Sequence, residues 1–193
     1  MEELSEALRA VERELNFARK AYSSILYLYW AVAFPVIYVV SSVVSAYTGM
    51  SVDSGLVLLS AAGILLFVVE ESRALRNVIR IETALGRKRG VKVKYLLAQL
   101  IVWPIVILAI GLNVKDQWLM PLLSIGAGMT ALAVLGVLFK ERWQENAMVG
   151  AVILLSSIPY RMVPITKGAY TTLVLSVAFG FAAYCSLRKA MRE

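Results

Sequence analysis

Apolar positions along this chain gather into six stretches, at 22–46, 52–72, 95–112, 118–139, 147–165 and 169–187, with short polar segments between them. A helix crosses the hydrocarbon core of a bilayer with about 20 predominantly apolar residues. Each stretch comes close to that length, so the pattern predicts an all-α, polytopic membrane protein with six transmembrane helices. Short connections predict three hairpins, each an odd helix, a tight turn and an even helix. The first stretch begins late and follows a charged helix, so no cleavable targeting segment is expected.

The polar segments fix the expected orientation. Segments 1–21, 70–94, 140–146 and the C-terminal tail carry 4, 8, 2 and 3 Lys/Arg, or 17 of the 20. The other side receives Lys115, Arg161 and Lys167. Lys and Arg in short loops are retained on the cytoplasmic side. A multi-pass protein of the cell membrane is therefore expected, with both termini cytoplasmic and short external turns near 49–54, 113–117 and 166–168. Tyr22, Tyr47, Tyr95, Trp118, Trp143 and Tyr170 fall near span ends, where amphipathic rings favour the headgroup layer.

Two stretches continue as polar helices beyond the expected membrane. Leu4, Leu8, Val11, Leu15, Ala18 and Tyr22 are spaced 4, 3, 4, 3, 4, the seam of a coiled coil. Glu2, Glu3 and Glu6 open this segment while Arg19 and Lys20 close it, signs that suit a helix dipole running toward the membrane. After the second span, Ala74, Val78, Ile81 and Leu85 repeat at 4, 3, 4 before Gly86, a C-terminal stop signal. Residues 1–21 and 70–85 are thus expected to form a cytoplasmic stalk on a single integral membrane domain. Its eight seam residues, Leu4, Leu8, Val11 and Leu15 with Ala74, Val78, Ile81 and Leu85, are expected to pair with each other, with a protein partner or with another copy.

Composition agrees with a membrane protein. Of 193 residues, 60% are hydrophobic and 17% charged, against about 45–50% and 25% in soluble domains. The net charge of +7 would raise nucleic acid as a partner in a soluble chain. Here orientation accounts for it, and no nucleic-acid partner is expected. Arg87, Lys88, Arg89, Lys92 and Lys94 form a juxtamembrane cluster suited to anionic lipid headgroups. With four Asn and three Gln the chain also has the amide-poor character of thermophile proteins.

Candidate chemistry is sparse. The chain has no His and a single Cys, Cys185, so metalloprotease and deaminase signatures are excluded and no intrachain disulfide can form. Phosphate-binding loops and nucleophile elbows are missing too. Neither enzymatic activity nor a cofactor or metal is expected.

The odd spans carry Pro35, Pro104, and Pro159 with Pro164; the even ones carry Ser60, Ser124 and Ser176 followed by small residues. Such recurrence suits a hairpin repeat of the kind found in transporters. The most unusual stretch is Leu155-Ser-Ser-Ile-Pro-Tyr-Arg-Met-Val-Pro164. There two prolines interrupt a helix beside Ser156, Ser157, Tyr160 and Arg161, a candidate contact for a solute or lipid headgroup. Two functions stay open: a non-enzymatic membrane subunit or scaffold acting through its stalk, and a small-solute or lipid transporter or channel with a site at the broken fifth helix.

Overall fold

The computed structural model describes residues 2–52, 62–63, 69, 73, 90–139 and 143–191. Among them the fold is all helical, with no strand. The helices are α1 (Glu2–Thr48), α2 (Gly90–Gly111), α3 (Leu119–Leu138), α4 (Gln144–Ser157) and α5 (Lys167–Met191), with a short 3-10 turn at Pro159–Arg161 between α4 and α5.

Among the described residues three helical segments, not six, are long and apolar enough to cross a membrane: Ser24–Thr48 of α1, then α3 and α5. The other expected spans fall short for separate reasons. Most of 52–72 lies outside the described residues. α2 is a helix of 22 residues within which Ile101–Gly111 stands as a shorter apolar segment among the described residues. The fifth ends at Ser157 after 14 residues, because Pro159 lacks the N–H that another helical turn needs.

α1 packs on α5, α5 on α4, α4 on α3 and α3 on α2. Every one of these neighbouring pairs is antiparallel. Tyr38 of α1 covers Gly168 at the start of α5, while Ala31 faces Gly180 further along it. Trp103 of α2 lies on Gly128 of α3, and Met120 reaches back to Gly111. A Cβ at Gly150 in α4 would meet the backbone of α3, 2.9 Å from the Thr130 nitrogen and 3.0 Å from the Gly126 carbonyl. These two helices therefore touch backbone to backbone, as small residues allow.

The core follows from these contacts. Leu122, Val149, Ile153, Leu175, Ala178 and Ala182 are fully or almost fully buried between α3, α4 and α5. Rings seal α1 onto α5: Phe34 lies 5.8 Å from Phe179 and 5.5 Å from Trp30, and Tyr27 lies 6.3 Å from Phe179. Several hydroxyls bond carbonyls of their own helix, with Ser42 donating to Tyr38, Thr130 to Gly126 and Ser176 to Thr172. That habit satisfies a polar group where water is scarce.

α1 is one unbroken helix of 47 residues, about 70 Å long. Its register against α5 sets Met191 opposite roughly residue 18 of α1, so the preceding turns extend about 25 Å beyond the end of α5. Val11 and Phe17 are exposed there.

Candidate functional site

The connections 112–118 and 158–166 meet at one end of the bundle, and Asp116 joins them. Asp116 opens α3 as a cap does: its carbonyl accepts the Met120 amide at 2.9 Å, and Oδ1 accepts the amides of Trp118 and Leu119 at 3.0 and 3.1 Å. An Asp before a helix satisfies amides that have no intrahelical partner.

The same oxygen also accepts the Tyr160 hydroxyl at 2.8 Å, and Oδ2 pairs with Lys167 Nζ at 3.0 Å. Lys167 sits 5.7 Å from the centre of the Tyr160 ring. One carboxylate thus binds the entrance of α3, the 3-10 turn and the first residue of α5. Partial burial acts to raise the Asp116 pKa, but hydrogen bonds from Lys167, Tyr160 and the amides of Leu119 and Trp118 outweigh it. They hold the carboxyl well below the usual carboxylate range, ionised throughout neutral pH.

Tyrosines extend the network. The Tyr170 hydroxyl donates to the Ser156 carbonyl at 2.6 Å, and its ring lies 6.0 Å from that of Tyr160. Thr171 Oγ1 donates to the Trp118 carbonyl at 2.9 Å. The ring of Tyr38 packs edge-on against Trp118 at 5.8 Å, and its hydroxyl stands 3.4 Å from Thr166 Oγ1.

The four residues singled out at the broken helix separate here. Tyr160 is 3% exposed and turned inward, whereas Arg161 is exposed on the same turn. Ser157 donates to its own helix at Leu154, and Ser156 contributes only its carbonyl to Tyr170. The helix does break between Pro159 and Pro164, and the group that turns inward is the phenol. Of the stalk seam, Val11 is 45% exposed. The side chains of Leu4, Leu8 and Leu15, and all of Ala74, Val78, Ile81 and Leu85, lie outside the described residues. So do Arg87, Lys88 and Arg89; Lys92 and Lys94 fall in the first turns of α2.

Sequence reasoning missed Asp116, Lys167 and Tyr170. Asp116, three residues before an apolar helix, carries a capping signal. Its pairing with residues 44 and 51 positions away has no local signature.

The opposite end holds a second polar tie. Glu145 and Asn146 in the first turn of α4 are buried. Lys189 of α5 bonds Gln144 at 2.6 Å and Glu145 at 2.8 Å, while Tyr27 of α1 donates to Asn146 at 2.6 Å. Among the described residues no three His, Cys, Asp or Glu side chains come together as metal ligands would. Both clusters fasten one helix to the next. No family model, curated protein or solved structure matches this chain.

Proposed function

We propose that this chain is a non-enzymatic integral membrane subunit or scaffold that crosses the bilayer six times and binds its partner through the cytoplasmic half of α1. The observation carrying this reading is the reach of α1 past the end of α5, with Val11 and Phe17 exposed on the extension. Apolar side chains half exposed beyond the end of α5 suit a protein contact.

The strict reversal of direction at each described connection supports six crossings, as does the apolar length of 52–72. The 17-to-3 division of Lys and Arg orients them with both ends inside. Outward-facing Ile105, Leu108, Val134, Val177 and Phe181 are all exposed, which lipid accommodates and water does not. In this topology the fifth crossing is made by α4 and completed by the 158–166 connection, where Asp116 accepts the Tyr160 hydroxyl and Tyr170 donates to the Ser156 carbonyl at the end of α4.

A transporter site at the broken helix has less support. A solute there would need open polar groups, and in that place Tyr160 and Lys167 bond Asp116 while Tyr170 bonds the Ser156 carbonyl. Under the transport reading, Arg161→Ala would abolish solute uptake; under the scaffold reading it leaves assembly unaltered.

Deleting residues 2–17 tests the scaffold proposal. Expected is a protein that still inserts and melts as before, but runs as a smaller particle in mild detergent. An unchanged particle size would overturn the reading.

A further inference from the structure

α4 is the shortest of the five α-helices described, and its place against α3 fixes the depth at which it ends. A Cβ on Gly150 would meet the α3 backbone at Gly126 and Thr130, and the Ile153 and Leu154 side chains lie on Gly126. The two helices are antiparallel, so Ser157, the last residue of α4, stands level with about Leu122, nearly one turn inside the start of α3 at Leu119. The 20 residues of α3 span about 30 Å, the thickness of a hydrocarbon core. When α3 crosses a bilayer, the 158–166 connection therefore lies where acyl chains give way to headgroups. Irregular backbone is not left bare in hydrocarbon, and at this level water and headgroups meet it.

The turn at this boundary is held in place and carries two kinds of surface. The Met162 amide donates to the Pro159 carbonyl at 2.8 Å, and the Tyr160 hydroxyl donates to Asp116 at 2.8 Å. Ile158 and Met162 are 76% and 88% exposed. Arg161 is exposed beside them, and its guanidinium has no hydrogen-bond or ion-pair partner among the described residues. Asp116, the one acidic group among the described residues of this end, is already engaged by Lys167 and Tyr160. The positive charge of Arg161 is thus left for something outside the bundle.

We infer that Arg161 binds the phosphate of an anionic phospholipid in the outer leaflet, with Ile158 and Met162 among the acyl chains; the inference rests on the membrane crossings proposed above. A guanidinium offers two parallel N–H groups to a phosphate. A cation on a fixed turn loses less freedom on binding than one on a loose loop. The apolar neighbours add a contact that a soluble anion would not use. A lipid joins both chemistries in one molecule, at the two depths this turn presents.

The test uses the full chain with Cys185→Ser in vesicles of phosphatidylcholine and phosphatidylglycerol. A fluorophore on Met162→Cys should be quenched by lipids carrying a nitroxide high on the acyl chain. One on Val177→Cys, exposed near the middle of α5, should be quenched by nitroxides deep in the chain. In mild detergent, Arg161→Gln should bind phosphatidylglycerol about tenfold more weakly, and Ile158→Ser with Met162→Ser should also weaken binding. Arg188→Gln removes an equal charge from an exposed position at the other end and should leave the affinity unchanged. An equal loss there would reduce the effect to net charge and overturn the inference. Displacement of the lipid by inorganic phosphate at matched concentration would overturn it too, making the site one for a soluble anion. Met162 unquenched while Val177 is quenched excludes the lipid contact and leaves the crossings intact. If Val177 is unquenched as well, the crossings fail with it.

Discussion

α1 and the pair α3 and α5 are built from equally apolar stretches, yet the bundle treats them differently. Buried residues make up 44% and 50% of the membrane-length windows of α3 and α5, and 6% of that of α1. The difference lies in residue size at the contacts. α3 and α4 interlock through Gly126, Thr130 and Gly150, and α5 offers Ala178, Ala182 and Ala183, so backbones approach closely. α1 presents Val, Ile and Leu all along its outer face and joins the bundle through large rings on one side. Apolar composition alone therefore says that a helix avoids water; the distribution of small residues says how closely its neighbours approach.

The sharpest way to break this contrast is to enlarge a small residue in the interlocked region. Gly150→Leu forces a side chain against the α3 backbone, and such overpacking costs about 3 kcal/mol. Val36→Ala on the outer face of α1 should leave the melting of the isolated protomer unchanged. Thermal denaturation in detergent compares the two, and equal losses would erase the distinction between the regions.

A smaller effect is expected at the loop end. Tyr160→Phe keeps the ring and removes the bond to Asp116, costing about 1.5–3 kcal/mol for a hydrogen bond to a charged group. Denaturant titration with Tyr160→Phe and Asp116→Asn singly and together should give a non-additive result, since both changes remove the same bond. Additive losses would mean the two groups act independently.

The smallest expected effect belongs to Lys167→Met. Its side chain is 57% exposed, and exposed ion pairs contribute under about 1 kcal/mol. Acid should reveal the carboxylate itself. The folded-state pKa of Asp116 is depressed, so its contribution is present above the ordinary carboxylate value of about 4 and is lost as pH falls toward the folded value. Asp116→Asn should flatten that acid limb.

Much of the architecture was legible because it depends on local pattern. Three helices long and apolar enough to cross a membrane coincide within a few residues with the apolar stretches at 22–46, 118–139 and 169–187. The unbroken passage of α1 from its charged start through Pro35 followed from the absence of any breaker before that proline. The fifth stretch misled because hydropathy counts Ile158, Tyr160, Met162 and Ile165 as apolar whether or not the backbone is helical. Pro159 and Pro164 were the signal, and they converted residues 158–165 of that stretch into a turn and an irregular connection. At the candidate site, the break could be read but its filling could not. Arg161, the conspicuous charge, faces outward, while Tyr160 reaches an aspartate supplied by a different hairpin.

Alternation of the helices across a bilayer, with both chain ends on the cytoplasmic face, is tested most directly by labelling from one side. In a Cys185→Ser background, Asn113→Cys lies in the connection after α2 and Met191→Cys at the end of α5; both positions are exposed. An impermeant thiol reagent applied to intact cells should label Asn113→Cys and should reach Met191→Cys only after the membrane is opened. Labelling of both sites from outside, or of Met191→Cys alone, would contradict the topology.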